Sequence, residues 1–268
     1  MASDDKAGPD PRAAGISDLI TGLAFLTRIP GMPPQWGSAP LPGQVAKAAW
    51  TFPVIGAGIG IAGGIALLIA IAIGLNSLVA GLLAILVVVT LTGAVNEAGL
   101  AATAEAGAGD TPPGRIARLA GPLGARGVLA IVFAVSLSAA ALGGLAVPYE
   151  TDGLFVLIAA EAVSFGAMVR PWRALAPATQ DPATAGLSVP DERGTTTAIA
   201  IGALIAAILT AIAVGVWPMI VALAGAAAAT FALEAWCRRR LGGYTRETLG
   251  AVQQVTAVTY LLLALAFA

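Results

Sequence analysis

The chain contains no histidine and a single cysteine, Cys237. Without histidine there is no Ser-His-Asp or Cys-His nucleophile scheme, no imidazole metal site and no neutral-pH imidazole base. One cysteine excludes an internal disulfide and a cysteine-based metal cluster. Charge is scarce as well: 11% of the 268 residues are Asp, Glu, Lys or Arg, where a soluble domain carries about a quarter. No polar stretch is long enough to bury a core of its own, so a separate soluble domain is not expected. What remains is 58% hydrophobic, the composition of an integral membrane protein. The net charge of −1 says little; the placement of the charges says more.

Met1–Gly15 is polar and rich in Asp, Ala, Pro and Gly, and reads as a disordered cytoplasmic tail with no cleaved signal. Ile16–Ile29 reads as a short amphipathic segment at the interface, and Pro30–Pro42 is too rich in Pro and Gly for regular helix. Crossing a bilayer takes about 20 apolar residues. Seven stretches qualify: Phe52–Leu75, Ser77–Val95, Val128–Val147, Gly153–Val169, Thr197–Val216, Met219–Trp236 and Leu249–Phe267. The fifth and sixth are parted by a turn at Trp217-Pro218. The expectation is an all-α, polytopic helical bundle of about seven transmembrane helices. Residues 16–268 form one transmembrane domain, with loops at 96–127, 170–196 and 237–248.

Seven spans place all 14 Lys and Arg on one side, while the other side carries only Glu150 and Asp152. The positive-inside rule puts the basic side, and with it the N-terminus, in the cytoplasm. The spans carry small residues three or four apart, as at Gly56, Gly60 and Gly64, a pattern that lets membrane helices approach closely. Glu161 lies in mid-span, where a carboxylate is costly. It reads either as a functional group or as a protonated one bonded to a neighbouring hydroxyl.

The outer loops are too short to build a site, so function is expected on the cytoplasmic side. The first loop holds Glu97, Glu105, Asp110, Arg115, Arg118 and Arg126. Carboxylates there can hold a hard cation and arginines can clamp phosphate, which suits phosphoryl-group transfer. Each arginine also has a plainer reading as a topology anchor or a contact to anionic lipid.

Four stretches resemble the cobalamin synthase family, the adenosylcobinamide-GDP ribazoletransferases. They are FLTRIP at Phe25–Pro30, AWTFPVIGAGIG at Ala49–Gly60, the stretch Thr92–Gly109, and LGGYTRETLGAVQQ at Leu241–Gln254. The third is similar to the family's acidic signature, roughly G-x-x-H-x-D-G-L-A-D-T-x-D-G. Gly99, Leu100, Ala101 and Thr103 are kept. Asn96 stands in place of the histidine, Ala98 and Ala102 in place of two aspartates, Glu105 in place of a third, and Ala106 in place of the last glycine. Charged features of the family pattern are also absent at Ala120–Ala125, Ser164-Phe165 and Ala185–Ser188, and Arg246-Glu247 replaces a Gly-Asp.

The resemblance implies an enzyme of the bacterial cytoplasmic membrane, multi-pass. It would join adenosylcobinamide-GDP to α-ribazole or its 5′-phosphate with release of GMP, assisted by Mg²⁺. It implies Glu97 and Glu105 as catalytic residues, Glu97, Glu105 and Asp110 as metal ligands with Glu247 as a helper, and Arg115, Arg118 and Arg126 as phosphate-binding residues. The partners it implies are the two small-molecule substrates and membrane lipid, with no nucleic acid; self-association stays open. Because acidic positions are substituted, a second reading stands beside it: a family member without catalysis, acting as a corrinoid-binding or structural membrane protein. An unrelated CDP-alcohol-type phosphotransferase is disfavoured, because that class needs a spaced Asp quartet where this chain has Ala98, Ala102 and Ala106.

Overall fold

Small and apolar residues dominate the long helices, and several of their starts are marked by side-chain caps or early prolines. Asn76, Thr111, Asp191 and Thr245 each accept a backbone N–H of the helix that follows, which satisfies donors left over in a first helical turn. The computed structural model describes residues 11–28, 42–147 and 149–268. In chain order the helices are α1 (Pro11–Leu26), α2 (Pro42–Ala48), α3 (Phe52–Ala72), α4 (Ser77–Thr92), α5 (Val95–Ala106), α6 (Pro112–Leu119), α7 (Ala125–Leu145), α8 (Glu150–Ala167), α9 (Val169–Ala174), α10 (Pro182–Ala185), α11 (Glu192–Val214), α12 (Val216–Arg240) and α13 (Arg246–Phe267). Among the described residues there is no strand. One isolated bridge ties Pro177 to Tyr244.

Among the described residues six helical stretches are long and apolar enough to cross a membrane, and α4 with α5 makes a seventh if that bent pair is one span. The bundle is built around α8. The apolar stretch Thr151–Ala174 is 78% buried, against 22% for those of α11 and α12, so α8 is the central post and α11 and α12 present most of their surface to the surroundings. α8 packs chiefly on α3 and α11, and also on α13. The small-residue pattern does the work expected of it: a Cβ on Gly60 would stand 2.7 Å from Ile158 Cα, so α3 and α8 are in backbone contact there.

Several boundaries differ from the sequence reading. The first helix opens at Pro11, inside the stretch read as tail; Met1–Asp10 lies outside the described residues, as does most of Pro30–Pro42. α1 packs on α2 and α3. Phe25 stacks with Phe52 at 5.8 Å between centroids, and Phe52 with Trp172 at 6.1 Å. The turn between α11 and α12 falls at Gly215, with φ +99°, and Pro218 sits inside the first turn of α12, where its missing N–H costs nothing. The largest difference is the second span. It stops at Thr92, and the chain bends by 92° into α5. Much of the stretch read as loop 96–127 is therefore helix, in α5 and α6.

Candidate functional site

The bend is made by two consecutive residues in the left-handed region, Gly93 at φ +66° and Ala94 at φ +57°. Glycine adopts this readily; alanine does so at a cost of roughly 1 kcal/mol or more. Among the described residues Ala94 is the only non-glycine with positive φ, and backbone strain of this kind concentrates at functional positions. The consequence is geometric. The helix restarts at once, so Glu97 falls in the first turn of α5, where the helix dipole favours a carboxylate.

α5 lies across the start of α13. Gly99 faces the backbone of Glu247, and a Cβ on Gly250 would be 3.1 Å from Asn96 Cα. Two glycines thus bring the helices close enough for side chains one turn further on to meet. Gln254 Nε2 donates to Glu97 Oε1 at 2.6 Å. Glu97 is 5% exposed, and its Oε2 has no hydrogen-bond partner among the described residues. The neighbouring Gln253 turns the other way and donates from Nε2 to Glu161 Oε2 and to Ser164 Oγ, each at 3.1 Å. The mid-span glutamate therefore has a partner, an amide on α13. A pair of adjacent glutamines holds one glutamate of α5 and one of α8.

Glu97 lines a cleft of about 740 Å³ between α4, α5, α7 and the start of α13. The polar part is made by Glu97, Glu105, Arg118, Arg246 and Glu247; the apolar part lies between α4 and α7, at Val89, Ile131 and Val135. A cleft of this size suits a substantial part of a large small-molecule ligand. Glu105 is eight residues from Glu97, so the two directions on α5 differ by about 80°. Its Oε1 accepts from Gly127 N at 2.7 Å, which caps the first turn of α7. The N-terminus of α13 is fixed by a reciprocal pair, Thr245 N to Thr248 Oγ1 at 2.9 Å and Thr248 N to Thr245 Oγ1 at 3.3 Å. That anchor sets Arg246 and Glu247 at the cleft. The Arg246 guanidinium lies 5.6 Å from the Phe25 ring centroid, a cation–π distance.

The structure thus brings together Glu97, Glu105 and Arg118 of the residues expected from sequence. Asp110 is exposed outside the cleft, Arg115 is buried against Gly109, and Arg126 is exposed on α7 without lining it. Among the described residues no three Asp, Glu or Cys side chains gather closely enough to hold a metal ion together. Ala98 and Ala102 line the cleft, so methyl groups face it at those two positions. Sequence reasoning gave no role to Arg246, Gln253 or Gln254. Two adjacent amides in an otherwise apolar span were a usable signal, because each must find a partner at membrane depth.

A family model described as cobalamin-5-phosphate synthase matches residues 18–265. The chain belongs to the cobalamin-5-phosphate synthase family. Relatives named adenosylcobinamide-GDP ribazoletransferase bear this out. That of Azorhizobium caulinodans is 35% identical over 94% of this chain and 97% of its own length. That of Rhizobium etli is 35% identical over 91% of this chain and 94% of its own, and that of Bradyrhizobium diazoefficiens 31% over 94% of each. No solved structure matches the chain. The family match spans the whole cleft, from the end of α4 to the start of α13.

Proposed function

We propose that this chain is an adenosylcobinamide-GDP ribazoletransferase and that the cleft beneath the bend is its active site. The observation that carries the reading is Glu97, a buried carboxylate on the family's signature with one oxygen unpartnered, facing a cleft that also holds two guanidinium groups. In the reaction a hydroxyl of α-ribazole, or of its 5′-phosphate, attacks the phosphorus on the cobinamide side of the diphosphate. A new P–O bond forms, the bond to the bridging oxygen breaks, and GMP leaves.

Arg118 and Arg246 bind the diphosphate, as guanidinium forks do. Glu105 keeps Oε1 on the Gly127 N–H, and its second oxygen receives the proton of the attacking hydroxyl. The apolar wall at Val89, Ile131 and Val135 excludes water from the reacting phosphorus. Mg²⁺ would be held in this cleft by few protein ligands, since no three carboxylates gather there among the described residues. It commonly takes one or two carboxylates and completes its shell with water and phosphate, and Glu97 with Glu247 supplies those carboxylates. When bound it neutralises charge on the diphosphate and the departing nucleotide.

The protein sits in the bacterial inner membrane with the cleft and the N-terminus on the cytoplasmic side, surrounded by lipid. Seven spans, with the bent pair counted as one, would collect all 14 Lys and Arg on one side, which supports that orientation. A second reading, corrinoid binding without turnover, is favoured by one observation, the methyl groups of Ala98 and Ala102 in the cleft. Purified protein in detergent, given adenosylcobinamide-GDP and α-ribazole phosphate, separates the two. GMP released with Mg²⁺ and suppressed by chelation supports the transferase. Corrinoid bound with no GMP released by folded protein supports the second reading.

A further inference from the structure

A second concavity lies away from the cleft, where α12 parts from α8. It is a groove of about 330 Å³ between α8, α11 and α12. Its walls are apolar, with Val163, Ile199, Ala203, Leu223 and Ala227 among them, and Arg170 and Phe231 stand at one end. All three helices belong to stretches apolar and long enough to cross the membrane. From Leu223 to Phe231 the groove follows α12 for eight residues, about 12 Å along its axis.

The charged end is built. Arg170 Nε lies 3.0 Å from Glu234 Oε2, and Arg238 Nη2 lies 3.0 Å from Glu234 Oε1. Glu234 is 5% exposed. The Arg170 guanidinium carbon is 4.3 Å from the Phe231 ring centroid, so carboxylate and ring together fix its plane. One carboxylate shared by two arginines leaves a positive charge, and the exposed Arg239 and Arg240 add to it. The Arg170 side chain is 39% exposed, and among the described residues Glu234 is its sole ion-pair partner. Its Nε faces Glu234, and the four N–H donors of the two terminal nitrogens are left for a ligand.

We propose that this groove is a binding site for an anionic phospholipid, with one acyl chain between α8, α11 and α12 and the phosphate on Arg170. Charge complementarity decides the occupant. A zwitterionic lipid fills the groove equally well but gains less at a mouth of net positive charge. At this depth an apolar gap is filled by hydrocarbon, and a preorganised guanidinium at its rim selects the headgroup. The site is separate from the cleft and does not depend on the transferase reading.

The test is native mass spectrometry of the protein in detergent with added phosphatidylglycerol or phosphatidylcholine. One phosphatidylglycerol is expected to be held about tenfold more strongly than phosphatidylcholine. Ala203→Phe with Ala227→Phe fills the groove without touching the arginines and is expected to abolish that retention. Arg170→Gln is expected to equalise the two lipids, with gel filtration reporting that it folds. Inorganic phosphate alone is expected not to displace the lipid at millimolar concentration. Equal retention of both lipids by the parent, retention unchanged in the filled-groove variant, or displacement by free phosphate overturns the proposal.

Discussion

Two apolar helical regions of the bundle end in different roles. The region around α8 runs unbroken through the bundle, and its glycine contacts are spent on packing. The α4–α5 region is more apolar up to Thr92 and then breaks at two left-handed residues. Continuity gives stability in the first region. In the second, the break places a carboxylate at the end of the bundle, beside the start of α13, with one oxygen free. Substitutions in the two regions should therefore fail in different ways, one in folding and the other in chemistry.

The largest effect is expected in the continuous region. Gly60→Leu forces a side chain into backbone 2.7 Å from the new Cβ. It should cost about 3 kcal/mol or more, seen as loss of the monodisperse peak in gel filtration and a lowered melting temperature. In the broken region, Gln254→Leu removes the amide that holds Glu97 Oε1 and leaves helix packing in place. Loss of a positioning hydrogen bond beside a metal ligand typically costs 10- to 100-fold. A shift of that size in the Mg²⁺ needed for GMP release is expected, with a nearly unchanged melting temperature.

Glu105 stands between the two kinds of failure. Glu105→Ala removes both the α7 cap and the proton acceptor, and should cost about 1 kcal/mol of stability together with turnover. Glu105→Gln keeps an acceptor for Gly127 N, so it should keep the stability and lose only the turnover. Thermal melts and GMP release on the same two samples check this. The smallest effect is a gain. Ala98→Asp places a carboxylate at an exposed, cleft-lining position. It should lower the Mg²⁺ concentration for half-maximal rate about fivefold, roughly 1 kcal/mol in binding.

The helical class and most span positions were readable because lipid imposes a length and a composition on anything that crosses it. The break at Gly93 was not. Hydropathy continues smoothly through Val95, and nothing in a run of apolar residues announces that Gly93 and Ala94 take positive φ. Of the expected site residues, Glu97 and Glu105 reached the cleft because the acidic stretch forms a single short helix. Asp110 and Arg126 did not, because the turn before α6 and the start of α7 carry them outside. Arg246 gives no signal of its own, because its place at the cleft depends on the cap that starts α13. Gln254 was passed over because its role exists only once α5 and α13 touch.

The most direct test concerns Glu97 itself. GMP release from adenosylcobinamide-GDP and α-ribazole phosphate is followed over a Mg²⁺ titration, for the parent and for Glu97→Ala, with both checked by gel filtration. Mg²⁺-dependent release by the parent is expected, with a loss of at least about 100-fold in the variant, the scale of a carboxylate acting at the reacting phosphate. Equal turnover by a folded Glu97→Ala protein would contradict that expectation, and would place the chemistry away from the bend.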